Sequence, residues 1–170
     1  MNIQLLQLSA SAVRSLAEGD LEAANLATTV ELRAYFVGPE CRSTWRRRAA
    51  QIAEDPGSAV WLTRAVVDLD LGLVVGRAGF HGPPDASGMI EVGYAIEPAF
   101  RRRGYARAAL LTLLRWARDE ASIRTVRACV APDNLASRAL VIAQGFIEEC
   151  VQWDDEDGPE TVFELDVGSP

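Results

Sequence analysis

The chain has 170 residues, the length of one domain of roughly 100–200 residues, and its 49% hydrophobic and 24% charged residues exclude disorder, collagen and coiled coil. A net charge of -7 argues against a general affinity for nucleic acid or an anionic membrane surface. All 17 basic residues are arginine, which excludes Schiff-base chemistry, a P-loop lysine and self-acetylation of a side-chain amine. Residues 2–8 predict a strand. Residues 10–27 place Val13, Leu16, Ala17, Leu21 and Ala24 near helical spacing, with Gly19 as a break. Residues 40–54 predict a helix ended by Asp55-Pro56-Gly57, with Arg46-Arg47-Arg48 read as a solvated face rather than a phosphate patch. Residues 59–67 and 72–80 are β-branched and aromatic, and Asp68-Leu69-Asp70-Leu71 between them fits a hairpin turn. That turn opens like a calcium loop but lacks the downstream glutamate, so calcium is rejected. His81-Gly82-Pro83-Pro84-Asp85 is a loop. Residues 88–97 alternate, with Ile90, Val92, Tyr94 and Ile96 on one face and Met89, Glu91, Gly93, Ala95 and Glu97 on the other. A long helix over 104–120, a strand over 123–131, a helix over 133–144 capped by Gly145, and strands over 146–153 and 160–167 complete the chain. The order is βααβββαβαββ, an α+β fold in which 88–131 forms a right-handed parallel crossover.

Cys41, Cys129 and Cys150 are too few and too scattered for a disulfide framework, and an odd count fits a reducing compartment. His81 is the only histidine and no C-x-x-C occurs, so no metal site is expected. The first residues lack the basic n-region of a signal peptide, and no apolar run approaches the roughly 20 residues of a membrane span. A soluble, cytoplasmic protein that binds neither membrane nor nucleic acid is the expectation.

The informative stretch runs from Glu91 to Phe146. Arg101-Arg102-Arg103-Gly104-Tyr105-Ala106 falls where a strand hands over to a helix N-terminus. Free N–H groups and the helix dipole favour an anion there, and the small residues Gly104 and Ala106 admit close approach of a pyrophosphate. An arginine-rich surface loop is the alternative. These six residues follow Glu91-Val92-Gly93-Tyr94 and precede Pro132-Asp133-Asn134, Ser137 and Gly145-Phe146. In that order they resemble the GNAT family of acetyl-CoA-dependent N-acetyltransferases, most nearly its RimJ/RimL-like ribosomal-protein branch, over about residues 60–150.

The resemblance implies one GNAT domain over 1–170, with a mixed, mostly antiparallel sheet of about seven strands and about four helices. It implies acetyl-CoA as co-substrate. The N–H groups from Arg102 through Arg103, Gly104 and Tyr105 to Ala106 would hold its pyrophosphate. Arg101 would support the loop, and Arg107 would meet phosphate from the next turn. The pantetheine arm would pair with the strand edge at Tyr94, Ala95 and Ile96. Asn134 would bond the arm or cap its own helix, two compatible roles. Glu91 is the candidate base, against a structural carboxylate paired with Arg77. Ile96 N–H is the candidate oxyanion donor. Many members place a tyrosine acid four residues before the Gly-Phe pair; here that position is Val141, which leaves Ser137 as the nearby hydroxyl. The acidic run Asp154-Asp155-Glu156-Asp157, with Glu160, reads as a soluble turn or as steering for a cationic amine. Trp45, Trp61 and Trp153 read as packing or as pocket walls. The function implied is acetyl transfer to a primary amine, a peptide N-terminus or a small cationic amine, in a ternary complex and by a monomer or homodimer. The alternative is an inactive GNAT-fold module that senses acyl-CoA or binds a partner.

Overall fold

In the computed structural model, which describes residues 1–154 and 158–168, the chain divides into two compact units. The first comprises Met1–Gly79 and Tyr94–Ala109, and the second Phe80–Gly93 and Leu110–Pro170. The acidic residues 155–157 of the last hairpin lie outside the described residues.

The first unit begins with β1 (Ile3–Leu6) and α1 (Ala10–Glu18). Ser9 caps α1 by accepting the Ala12 N–H at 3.1 Å, and Gly19, at φ 86°, closes it in the left-handed conformation. Asp20 immediately caps a new helix, α2 (Leu21–Leu26), by accepting the Ala23 N–H at 2.9 Å. The stretch over 10–27 is therefore two helices, and the described residues hold five α-helices. In α3 (Pro39–Glu54) the buried positions are Cys41, Thr44, Trp45 and Arg48, a stripe at helical spacing. Arg48 thus contradicts a fully solvated arginine face. Its Nε donates to Thr63 Oγ1 at 3.0 Å, which satisfies a buried cation's donor. Asp55 accepts the Gly57 N–H and starts a 3-10 turn over Pro56–Val60, so β2 begins only at Arg64 (Arg64–Asp68) rather than at 59. β3 (Leu73–Phe80) follows, antiparallel to β2, which is itself antiparallel to β1. Leu8, Val13, Leu16, Leu32, Phe36, Trp45, Val67 and Val74 form the core of this unit. Trp45 is wholly buried, stacks on Phe36 and donates Nε1 to the Phe36 carbonyl at 2.8 Å, so it packs the core and walls no pocket.

β4 (Met89–Ile96) and α4 (Tyr105–Asp119) run through both units. In the second unit β4 pairs in parallel with β5 (Thr125–Val130), in the register Met89–Thr125, Ile90–Val126, Glu91–Arg127. Beyond β5 come α5 (Leu135–Ala143), β6 (Ile147–Asp154) and β7 (Gly158–Asp166), with β7 antiparallel to both β5 and β6. The seven strands lie in the order β1-β2-β3-β4-β5-β7-β6. β6 is an exposed edge, and Trp153 on it is largely solvent-facing. Among the described residues no helix is long and apolar enough to cross a membrane.

Candidate active site

In the first unit, the loop after β4 is shaped by its backbone. Pro98 starts a 3-10 turn through Phe100, and Arg101 is extended, with its Nε donating to the Ile96 carbonyl at 3.0 Å. Arg102 at φ 61° and Gly104 at φ 88° are both left-handed, and α4 begins at Tyr105. Left-handed residues alternating with a residue at negative φ, as at Arg102, Arg103 and Gly104, turn neighbouring N–H groups to one side, a nest for an anion. Among the described residues no main-chain N–H from Arg102 to Arg107 donates a hydrogen bond. A Cβ added at Gly104 would meet only the Met1 methyl, at 3.5 Å, so this side of the loop is open to close approach.

The loop is anchored from below. Tyr105 donates its hydroxyl to Asp68 Oδ2 at 2.5 Å, while Asp68 Oδ1 accepts the N–H groups of Asp70 and Leu71, each at 2.9 Å. The Tyr105 bond and these N–H groups hold the Asp68 carboxyl below its usual range, and the same bond raises the Tyr105 hydroxyl. Arg103 lies over the Phe100 ring, as does Arg33, which pairs with Glu97. Arg102 and Arg107 are exposed, and Ala106 is half-buried. Upstream, Glu97 donates its N–H to the Val75 carbonyl. By strand alternation the main-chain groups of Tyr94 and Ile96 then face away from β3, and those of Ala95 face it.

The second unit gathers titratable side chains around Glu91. His81 and Glu91 face each other across the β3–β4 hairpin, where His81 N–H donates to the Glu91 carbonyl at 2.8 Å. The His81 Nδ1 also lies 2.8 Å from Glu91 Oε1. Burial pushes the Glu91 carboxyl up. The His81 hydrogen bond and charge, the Cys129 thiol and the Arg127 guanidinium outweigh this, and the carboxyl settles below its usual range. The Cys129 thiol is pushed up to about 12 by burial and by the charges of Glu91 and Glu160. Arg127 holds Glu164 Oε1 through Nε at 2.9 Å and Nη2 at 2.6 Å. Arg77, the expected structural partner of Glu91, instead donates to the Glu40 carbonyl, and His81 takes that place.

On α5, Asn134 Oδ1 accepts the Ser137 N–H at 3.1 Å, which is the capping role. Ser137 is half-buried in the first turn. Val141 is wholly buried, and its carbonyl accepts the Phe146 N–H at 3.2 Å as Gly145, at φ 90°, ends the helix. The structure thus gathers Tyr94–Ile96 with Arg101–Arg107 in one unit, and holds Glu91, Asn134 and Ser137 in the other. Sequence reasoning missed His81. The signals that could have found it are its place opposite Glu91 across the hairpin and a glycine, Gly93, inside a regular strand.

Residues 12–147 match the acetyltransferase (GNAT) domain, and the chain belongs to that family of acetyltransferases, whose chemistry is acetyl transfer to amines. The uncharacterized N-acetyltransferase YjdG of Bacillus subtilis (strain 168) is 38% identical over 82 residues, 48% of this chain and 49% of YjdG. The chain spans about half the length, or less, of the curated relatives it matches. Among solved structures, the fold is similar to a chimera of spermidine N-acetyltransferase SpeG from Vibrio cholerae and hSSAT, with TM-score 0.68 at 15% identity, covering 98% of this chain and 96% of that one. It is also similar to RimL, a ribosomal L7/L12 alpha-N-protein acetyltransferase in complex with coenzyme A, with TM-score 0.67 at 16% identity, covering 98% and 94%.

Proposed function

We propose that residues 1–170 form one acetyl-CoA-dependent N-acetyltransferase domain that moves the acetyl group directly to a primary amine in a ternary complex. The observation that carries this reading is the loop of Arg102 and Gly104, two left-handed residues with unused N–H groups and an open side at Gly104. A diphosphate fits such a cradle without any lysine. Arg101 fixes the loop to the end of β4, Tyr105 pins the helix start, and Arg102, Arg103, Ala106 and Arg107 surround the anion. The main-chain groups of Tyr94 and Ile96, turned away from β3, supply a strand edge for an extended amide-bearing arm, with Ala95 between them, and Asn134 adds a side-chain contact. Ile96 N–H stabilises charge developing on the acetyl oxygen.

Acetyl-CoA supplies an activated thioester, and the residues manage protons. An attacking amine must shed a proton, and the carboxylate of Glu91, kept ionised by its neighbours, is the group organised for that task. Ser137 orients the reacting groups. The cysteines are not nucleophiles here, because Cys129 is held as a thiol and Cys41 is buried. The acceptor class is cationic, a peptide N-terminus or a polyamine, matched by Glu91, Glu160 and Glu164. A soluble cytoplasmic protein acting as monomer or homodimer accompanies this reading.

The test is thiol release from acetyl-CoA against peptides of varied N-termini, polyamines and aminoglycosides, beside a blank without acceptor. Turnover with one amine class, lost in Glu91→Gln while acetyl-CoA still binds, supports the enzyme. Silence with every amine, with acetyl-CoA still raising the melting temperature, assigns the chain to the acyl-CoA-sensing alternative. The buried Val141, where many members carry a hydroxyl, favours that alternative.

A further inference from the structure

Resting on the acetyl-transfer reading and narrowing its acceptor, we propose that Arg77 and Arg101, with the Tyr35 hydroxyl, form an anion subsite in the first unit. It receives a carboxylate that the acceptor carries a few bonds from its amine. Arg77 is a cation without an acid. Its Nη2 donates to the Glu40 carbonyl at 3.1 Å, and its Nε, shut off from solvent, donates to nothing. Among the described residues no carboxylate pairs with Arg77 or with Arg101. The Glu40 carboxylate turns toward Gly38, where an added Cβ would lie 3.0 Å from its Oε2. Glu97 is taken by Arg33. Arg101 uses its Nε on the Ile96 carbonyl.

The neighbouring phenol does not supply the missing charge. Both guanidiniums act on the Tyr35 hydroxyl and favour its ionisation. Burial and the bonded Cys41 thiol outweigh them and raise the hydroxyl above its ordinary value, so Tyr35 stays a neutral donor. Two cations and a phenol thus stand together with no anion among them. A guanidinium fork matches a carboxylate through paired N–H bonds, and Arg77 is half-buried, where water competes less for such a contact.

The strands put this subsite beside the reacting end of the arm. The Glu97 N–H bond to the Val75 carbonyl sets these two residues opposite each other. Gly76 then meets Ile96, and an added Cβ there would lie 2.9 Å from the Ile96 Cα. One residue further along, Arg77 stands opposite Ala95, with both side chains on one face of the sheet. An arm added beyond β4 would run about 10 Å from the Arg77 main chain, two strand spacings. The arginine side chain and a short amino acid span that gap together. A polyamine offers nothing to this subsite, and its ammonium groups are repelled by it. A free amino acid and an acidic residue at a peptide N-terminus both carry the required carboxylate.

The experiment is steady-state acetylation of paired acceptors that differ in one group. Free amino acids are compared with their amides, and peptides opening with Asp or Glu with the same peptides opening with Asn or Gln; spermidine is run beside them. The parent should favour the carboxylate member by more than about tenfold in kcat/KM in one of the two sets, and that set names the source. Arg77→Met should raise KM for that acceptor by more than about tenfold with kcat nearly unchanged, the mark of lost binding shared by ground and transition states. KM for the matched amide and the acetyl-CoA Kd, read by calorimetry, should not move. Arg77→Lys keeps a point charge without the fork and should retain part of the discrimination. It takes the place of Arg77→Met should the latter melt well below the parent. Equal turnover of carboxylate and amide by the parent, or spermidine as the best acceptor, overturns the subsite. So does an Arg77 variant in which both members of a pair lose alike. Failure of the parent to acetylate any amine overturns the acetyl-transfer reading instead, and is seen before any variant is made.

Discussion

The loop Arg101–Ala106 and the strand face around Glu91 present opposite kinds of chemistry. In the loop the usable groups are main-chain N–H donors, while Arg101 is tied to the Ile96 carbonyl and Arg103 lies over Phe100. Around Glu91 the usable groups are side-chain atoms, and each is held by a residue distant in sequence: Glu91 by His81, Arg127 by Glu164, Cys129 by Gln152. The first site should tolerate many side-chain changes and fail when a dihedral changes. The second should tolerate no change of functional group and little change of register.

The largest effect expected is on the side-chain site. Glu91→Gln lowers kcat by about 10²-fold or more, with the acetyl-CoA Kd held within error, as turnover and calorimetry on one preparation would show. Loss of binding along with turnover would mean the two regions are not separable in this way. Next comes Gly104→Val. A branched residue at φ 88° carries strain of about 1–2 kcal/mol and closes the open side of the loop. Acetyl-CoA affinity should drop by more than about tenfold, or 1.4 kcal/mol. Unchanged affinity in a folded variant would move the diphosphate elsewhere.

Tyr105→Phe tests the anchor beneath the loop. The Asp68 carboxyl is depressed from 3.8, so its contribution is present above that value and lost as pH falls through the lower, folded one. The Tyr105 hydroxyl is raised from 10.0, so its contribution is present below that value and lost as pH climbs through the higher, folded one. The variant should melt below the parent across the whole interval between these values, and the gap should close at the acid end. A gap independent of pH would assign the loss to packing alone. The smallest effect belongs to Arg102→Gly. It relieves a left-handed arginine, so the melting temperature holds or rises, while acetyl-CoA affinity falls less than in Gly104→Val. A larger fall than in Gly104→Val would show that the arginine side chain, not the main chain, holds the anion.

What could be read from the sequence follows the same division. Strands β3 and β4, helix α3 and the Gly104 loop were legible because their signals are local: alternation, helical spacing, a Pro or Gly at a boundary. The break at Gly19 was legible, but the apolar positions that continue past it hid the restart of a second helix at Asp20, and β-branched residues hid the 3-10 turn at Pro56. Arg48 and His81 were not legible. Whether an arginine in a triple run is buried depends on Thr63, fifteen residues away, and the role of His81 depends on hairpin pairing. The spacing of the Arg-x-x-Gly-x-Ala segment carried the family because main-chain geometry leaves a trace in composition. The carboxylate's true partner left only an unexplained glycine.

The three cysteines differ sharply in environment: Cys41 is buried, Cys129 is held as a thiol near 12, and Cys150 is exposed on β6. Thiol-reactive dyes need both access and thiolate. A limiting amount of maleimide fluorophore should therefore attach at Cys150 before the other two. In the sheet, Cys150 pairs with Val162, whose opposite neighbour is Cys129. The native chain thus carries a ready labelling position two strands from the Glu91 cluster, where the emission of an attached dye can follow acceptor binding without any engineered cysteine.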